Sequence, residues 1–134
     1  MDPETDAQAF AAATALDAFN RGDVVAYLDL FADDMDFWLP GTTKFSGRLK
    51  GKDAFMGLGG RLAAEIDGLI TLTLDHMVAG GDWVVTQTQG AATTGDGQAY
   101  NNTYCHLWQV RDGRIVSFTE YCDTDLVRRS FDHN

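Results

Sequence analysis

Read for the spacing of its apolar positions, the chain changes character once, near Gly68. Before that point the repeats fit helices. Phe10, Ala13, Leu16 and Phe19 or Asn20 recur at i, i+3 and i+4 spacing, predicting a helix over about residues 4 to 20. Pro3 and Glu4 suit its first turn and Gly22 its end. Asp23 caps a second helix whose apolar side is Val24, Tyr27, Leu28 and Phe31, stopping at Ala32-Asp33-Asp34. Met35 to Pro40 reads as a short strand and Thr43 to Phe45 as a further brief one. A third helix is expected over about residues 53 to 66, weakened by Gly57, Gly59 and Gly60 at roughly 1 kcal/mol each.

After Gly68 the period is two. Ile70, Leu72, Leu74, His76 and Val78 fall on one strand face, and Trp83, Val85, Gln87 and Gln89 on one face of the next. Two more strands follow, Tyr100 to Val110 and Arg114 to Asp123, around Arg111-Asp112-Gly113. Residues 124 to 134 form a charged tail with room for a short helix, and 1–3 and 125–134 read as peripheral to a single domain. Helices first and an antiparallel meander afterwards predict an α+β fold: a curved sheet wrapped over helices as a cone, with a small-molecule cavity.

The last hairpin carries polar residues where core is expected. Asn102, Tyr104, His106 and Trp108 alternate along one strand, and Phe118, Glu120 and Cys122 along the other. Whether the two sets share a face depends on the turn. A two-residue Asp112-Gly113 loop of type I′ pairs Arg111 with Arg114 and sends Glu120 to the far side from His106. A three-residue loop with a bulge at Gly113 pairs Val110 with Arg114, placing His106 opposite Phe118, Tyr104 opposite Glu120 and Asn102 opposite Cys122. Turn chemistry alone leaves both open.

Composition narrows the function classes. Twenty acidic and ten basic side chains give a formal net charge of −10 over 134 residues, without a Lys/Arg cluster. Such a surface repels phosphate backbones and argues against nucleic acid. No apolar run spans a bilayer. The start, MDPETDAQAF, has no signal core, so a cytoplasmic protein is expected. Cys105 and Cys122 are expected to stay reduced. No His-x-His or Glu-x-x-His spacing occurs, and no glycine-rich loop links a strand to a helix. Neither metal nor nucleotide cofactor is expected.

Three stretches together resemble a known family. Asn20-Arg21-Gly22-Asp23, Leu30-Phe31-Ala32-Asp33-Asp34, and Trp108-x-Val110-x-Asp112-Gly113-Arg114-Ile115 running to Glu120-Tyr121-x-Asp123 are similar to the SnoaL-like branch of the nuclear transport factor 2 and ketosteroid isomerase superfamily. The resemblance implies a nuclear transport factor 2-like cone and a homodimer packed through the outer sheet face. Polyketide cyclases of this type place a His and a carboxylate in the pocket from the last two strands. His106 and Glu120 match those positions, with glutamate replacing the usual aspartate, and this favours the bulged hairpin. Gln87 and Gln89 stand where limonene epoxide hydrolases carry Arg and Asp. Leu39 and Ala15 replace the steroid isomerases' base and helix tyrosine, so neither machinery is intact.

The expected catalytic set is therefore His106 and Glu120 as acid and base, with Tyr104 and Asn102 holding a developing oxyanion. Asp36, Trp38, Gln87, Gln89, Asn102, Phe118 and Cys122 are expected to contact ligand. With the resemblance, these residues imply a cofactor-free enzyme of isomerase, cyclase, dehydratase or hydrolase type, acting on an apolar, oxygenated small molecule. The alternative is a non-catalytic binding or dimerisation module built on the same cone.

Overall fold

The computed structural model describes residues 3–132. Helix α1 (Pro3–Arg21) leads into α2 (Val24–Asp29), strands β1 (Phe31–Leu39) and β2 (Gly47–Lys50), and α3 (Lys52–Ala63). Strands β3 (Ile66–Gly80), β4 (Trp83–Thr94), β5 (Thr103–Arg111) and β6 (Arg114–Cys122) follow, then α4 (Thr124–Phe131). The six strands form one mixed sheet in the order β2-β1-β6-β5-β4-β3, with β1 parallel to β6. This is the α+β architecture expected. No helix among the described residues is long and apolar enough to cross a membrane.

Burial of small residues seats α1 on the sheet. Ala11, Ala12, Ala15 and Ala18 are buried with Leu16, whereas Phe10, expected on the inner stripe, is 72% exposed. Alanines let the helix axis approach the strands closely, where a phenylalanine would hold it away. Asn20 then locks the helix end to β3, donating to the Leu72 carbonyl at 2.8 Å and accepting from its amide at 2.7 Å.

Three expected elements are revised. Helix α2 ends at Asp29, and Phe31 to Asp34 belong to β1, because the Ile115 amide of β6 takes up the Leu30 carbonyl and draws the chain into the sheet. The strand placed at Thr43 to Phe45 lies instead at Gly47–Lys50, since Thr43 and Ser46 close a side-chain-capped turn. The C-terminal segment is not peripheral as far as Phe131. Asp123 caps α4 by accepting from the Leu126 amide, and Val127 and Phe131 are buried in the core. Residues 1–2 and 133–134, including His133, lie outside the described residues.

The β5–β6 turn resolves the register. Asp112 (φ 52°) and Gly113 (φ 77°) both adopt positive φ, as a two-residue type I′ turn requires, and Arg111 pairs with Arg114. The bulge sits further in. Val110 pairs with Ile115 but Gln109 pairs with Ser117, so Val116 is the extra residue. One inserted residue restores the side-chain phase. His106 therefore stands opposite Glu120, Tyr104 opposite Cys122 and Trp108 opposite Phe118. The shared face expected from the bulged hairpin exists, but the partners of His106 and Tyr104 are each displaced by two residues and that of Val110 by one.

Candidate functional site

The concave face of the sheet and the helices enclose a cavity of about 440 Å³. Its wall is mostly aromatic and aliphatic, with Phe37, Leu39, Phe55, Phe118 and Trp108 among the lining residues. Strand alternation explains why. Phe37 and Leu39 of β1 point inward, as do Tyr104, His106 and Trp108 of β5, and all five are buried. Trp108 and Phe118 pack with ring centroids 4.4 Å apart, and Trp108 Nε1 donates to Thr86 Oγ1 at 2.9 Å.

Into this wall β5 and β6 set one ionisable pair. His106 Nε2 lies 2.9 Å from Glu120 Oε1, with the His106 side chain 2% exposed and that of Glu120 25% exposed. An ionised carboxylate oxygen only accepts, so opposite an ionised Glu120 it is Nε2 that carries the shared proton. His106 Nδ1 is buried with no hydrogen-bond partner among the described residues. The imidazole cannot swing away, because Tyr104 stacks on it at 5.4 Å and Phe118 at 4.8 Å. Glu120 Oε2 has no hydrogen-bond partner among the described residues, and Glu120 lines the cavity. A carboxylate with one oxygen anchored and one free is arranged to take a proton from a bound molecule.

Three tyrosines line the same space. Burial first, and then the Glu120 charge, push the Tyr27 and Tyr104 hydroxyls above their ordinary range. Burial raises Tyr100 to about 12, against the lowering effect of its hydrogen bonds to Tyr104 and Asn102. All three remain protonated donors at neutral pH. The sequence pattern places Tyr27 on an apolar helix face. Its ring does pack against Phe19, Phe31 and Phe55, yet it also lines the cavity and feels Glu120. Helical periodicity cannot separate these roles, because a tyrosine satisfies both.

The expected catalytic residues His106, Glu120 and Tyr104 line the cavity, and of the expected ligand contacts Phe118 does. Gln87 and Gln89 do not. On β4 the inward positions are Val84, Thr86, Thr88 and Gly90, and Gln89 is bonded across the outer face to Asp75 and Thr103. Asp36 and Trp38 also face outward: Asp36 pairs with Lys50, and Arg48 lies over the Trp38 ring at 3.9 Å. Asn102 is buried behind the cavity, donating to the Tyr100 hydroxyl and the Asp123 carbonyl and accepting from the Asp123 amide. Cys122 packs against the core without lining the cavity, and burial, Glu120 and Asp123 push its thiol up to about 12. It points to the opposite face from Cys105, and both cysteines are free. His76 is exposed on the outer face, because a second irregularity, at Asp75, reverses the phase of β3 beyond Leu74.

Among the described residues no group of three metal-ligating side chains forms. The carboxylate–imidazole pair is thus set, together with the hydroxyls of Tyr27, Tyr100 and Tyr104, in a mostly apolar cavity wall.

Known proteins share this scaffold. A Burkholderia pseudomallei NTF2-like protein of unknown function superposes with a TM-score of 0.85 at 21% identity, covering 92% of this chain and 96% of that one. TerC, solved with polyporic acid, superposes with a TM-score of 0.84 at 19% identity, covering 94% and 98%. The uncharacterized protein Rv0034 of Mycobacterium tuberculosis is 28% identical over 114 residues, covering 85% of this chain and 87% of that protein. At these identities the two structures speak for the NTF2-like fold. The family follows from sequence: the model of the SnoaL-like domain matches residues 12–118, from the alanine face of α1 to the Phe118 that holds His106, and the chain belongs to the SnoaL-like family.

Proposed function

We propose that the protein is a cofactor-free enzyme performing general acid–base chemistry on an apolar, oxygenated small molecule. The observation that carries this reading is the Glu120–His106 pair, 2.9 Å apart, on the wall of the apolar cavity. Low polarity strengthens the influence of a carboxylate on any proton held near it. Glu120 Oε2 takes a proton from a carbon next to a ligand carbonyl. The C–H electron pair becomes a new C=C bond, and the carbonyl π pair moves onto oxygen. His106 Nε2–H holds Oε1 throughout, so the carboxylate needs no reorientation to return the proton at a second carbon, the far end of a ligand C=C bond conjugated with the enolate. That sequence is an isomerisation; attack of the same enolate on a second carbonyl closes a ring. TerC, of the same fold, was crystallised with polyporic acid, which supports a cone of this kind accommodating a small organic molecule.

The test is a thermal-shift screen of wild type and Glu120→Gln against polycyclic phenols, steroids and terpenoids, followed by turnover of each hit. A ligand at 100 times its dissociation constant stabilises by about 2.7 kcal/mol, a readily measured shift. Glu120→Gln is expected to fold normally and lose turnover by roughly 100-fold or more. Equal turnover in the variant sinks the assignment, and binding without turnover in wild type favours a passive binding module. We also propose that a second copy covers the convex sheet face, where Val78, Trp83 and Tyr121 stand exposed. Sedimentation at the dimer mass is expected, and a monomer at micromolar concentration contradicts it.

A further inference from the structure

The acid–base reading leaves open which group meets the ligand oxygen when charge develops on it. Tyr104 and Asn102, the residues the sequence nominates, are both engaged elsewhere. Both donor directions of Asn102 Nδ2 end inside the protein, on the Tyr100 hydroxyl at 3.0 Å and the Asp123 carbonyl at 3.1 Å. The Tyr104 hydroxyl donates to Tyr100 across 3.4 Å. Tyr100 Oη therefore accepts from two partners. Its own proton has no acceptor among the described residues, although the residue is buried and lines the cavity. A hydroxyl whose acceptor sites are filled from behind directs its proton away from them. Phe131 fixes the ring itself, edge to face at 4.8 Å.

Charge narrows what can sit in front of it. Among the described residues the cavity lining contains no lysine or arginine, while Glu120 contributes a carboxylate. An anionic ligand would find no counter-charge there and would meet a like charge, a costly arrangement in an apolar space.

We propose that Tyr100 is the donor that receives a ligand's carbonyl oxygen, positioned by Asn102, and that the cavity takes uncharged carbonyl compounds. This rests on the acid–base reading of the same cavity and adds to it a named oxygen-binding residue and a ligand class. In the step described above, Tyr100 Oη–H faces the oxygen that becomes negative and keeps its proton, while the abstracted proton resides on Glu120.

The test compares three probes, 2-tetralone, tetralin and 2-naphthoate, by dissociation constant in wild type, Tyr100→Phe and Asn102→Asp. Wild type is expected to prefer the ketone over its hydrocarbon by roughly fivefold to tenfold, the range of one net hydrogen bond. Tyr100→Phe keeps the ring against Phe131 and is expected to bind both equally. Asn102→Asp leaves the tyrosine hydroxyl in place but offers it an acceptor, diverting its proton. It too is expected to lose the ketone preference while still binding tetralin, which a merely structural role for Asn102 would not produce. A wild type that does not discriminate, or a preference that survives Tyr100→Phe, overturns the donor role. Binding of 2-naphthoate as tight as that of 2-tetralone overturns the ligand class. If Glu120→Gln abolishes turnover while Tyr100→Phe keeps the preference, the acid–base reading stands and the Tyr100 role alone falls.

Discussion

The two faces of the sheet are built from the same alternating strands and both carry polar side chains, yet they do different things. On the concave face the buried His106 and the partly exposed Glu120 sit among Trp108, Phe118 and Phe37. On the convex face Gln87, Gln89, Asp36 and Trp38 meet solvent or other outer-face side chains such as Asp75, Lys50 and Arg48. A polar residue on a strand is therefore no guide to a site by itself. What matters is the phase of its strand, and here that phase is reset by single inserted residues, Val116 in β6 and Asp75 in β3.

The contrast is tested hardest by tryptophan truncation. Trp108→Ala empties a fully buried position and is expected to destabilise by about 3–5 kcal/mol in urea unfolding. Trp83→Ala, on the convex face and 42% exposed, is expected to cost less than about 1 kcal/mol in the monomer. A Trp83→Ala cost as large as that of Trp108→Ala would mean that the convex face is covered as deeply as the core. Gly90 supplies a smaller effect. A Cβ there would lie 2.7 Å from the Tyr104 ring and 3.0 Å from the Asn102 carbonyl oxygen, so Gly90→Ala must push back the wall that holds His106. The expected cost is about 1–3 kcal/mol, read as a lower unfolding midpoint. Gly59→Ala in α3, where a Cβ meets nothing within 4 Å, is expected to stabilise by up to about 1 kcal/mol.

The concave face also predicts an alkaline limb. Cys122 rises from 9.0 to about 12 and Tyr100 from 10.0 to about 12, both mainly through burial. Above pH 9 the unfolded chain gives up protons that the folded chain retains, so stability falls as pH rises. The contribution is fully present below pH 9 and is lost between about 9 and 12. Cys122→Ala should flatten the lower part of this fall, from pH 9 to 10, in denaturation curves taken at stepped pH. A fall of unchanged steepness there would place the thiol in a more solvated setting than its packing indicates.

These outcomes bear on what the sequence could reveal. The switch from helical to alternating period at Gly68 locates the helices and the meander, and binary pattern is enough for that. The Asp112-Gly113 pair is a sound type I′ signal, and the turn is of that type. The bulge at Val116 left no such mark: a valine looks the same paired or inserted, so the correct shared face came with the wrong partners. Gln87 and Gln89 alternate as cavity residues would, and only the placement of β4 between β3 and β5 shows that Thr86, Thr88 and Gly90 take the inner side. Nothing in the sequence marks Tyr100 and Tyr27 as site residues, because their settings depend on tertiary partners, Asn102 for one and Glu120 for the other.

The central claim, that the free oxygen of Glu120 acts as a base inside the concave cavity, is tested most directly by proton exchange. Deuterium incorporation next to the carbonyl of 2-tetralone would be followed in heavy water with wild type, Glu120→Gln and Gln89→Ala. Exchange is expected to be faster than buffer with wild type, unchanged in Gln89→Ala and reduced to the buffer rate in Glu120→Gln. Exchange at the buffer rate with wild type, or equal acceleration by wild type and Glu120→Gln, would contradict the claim.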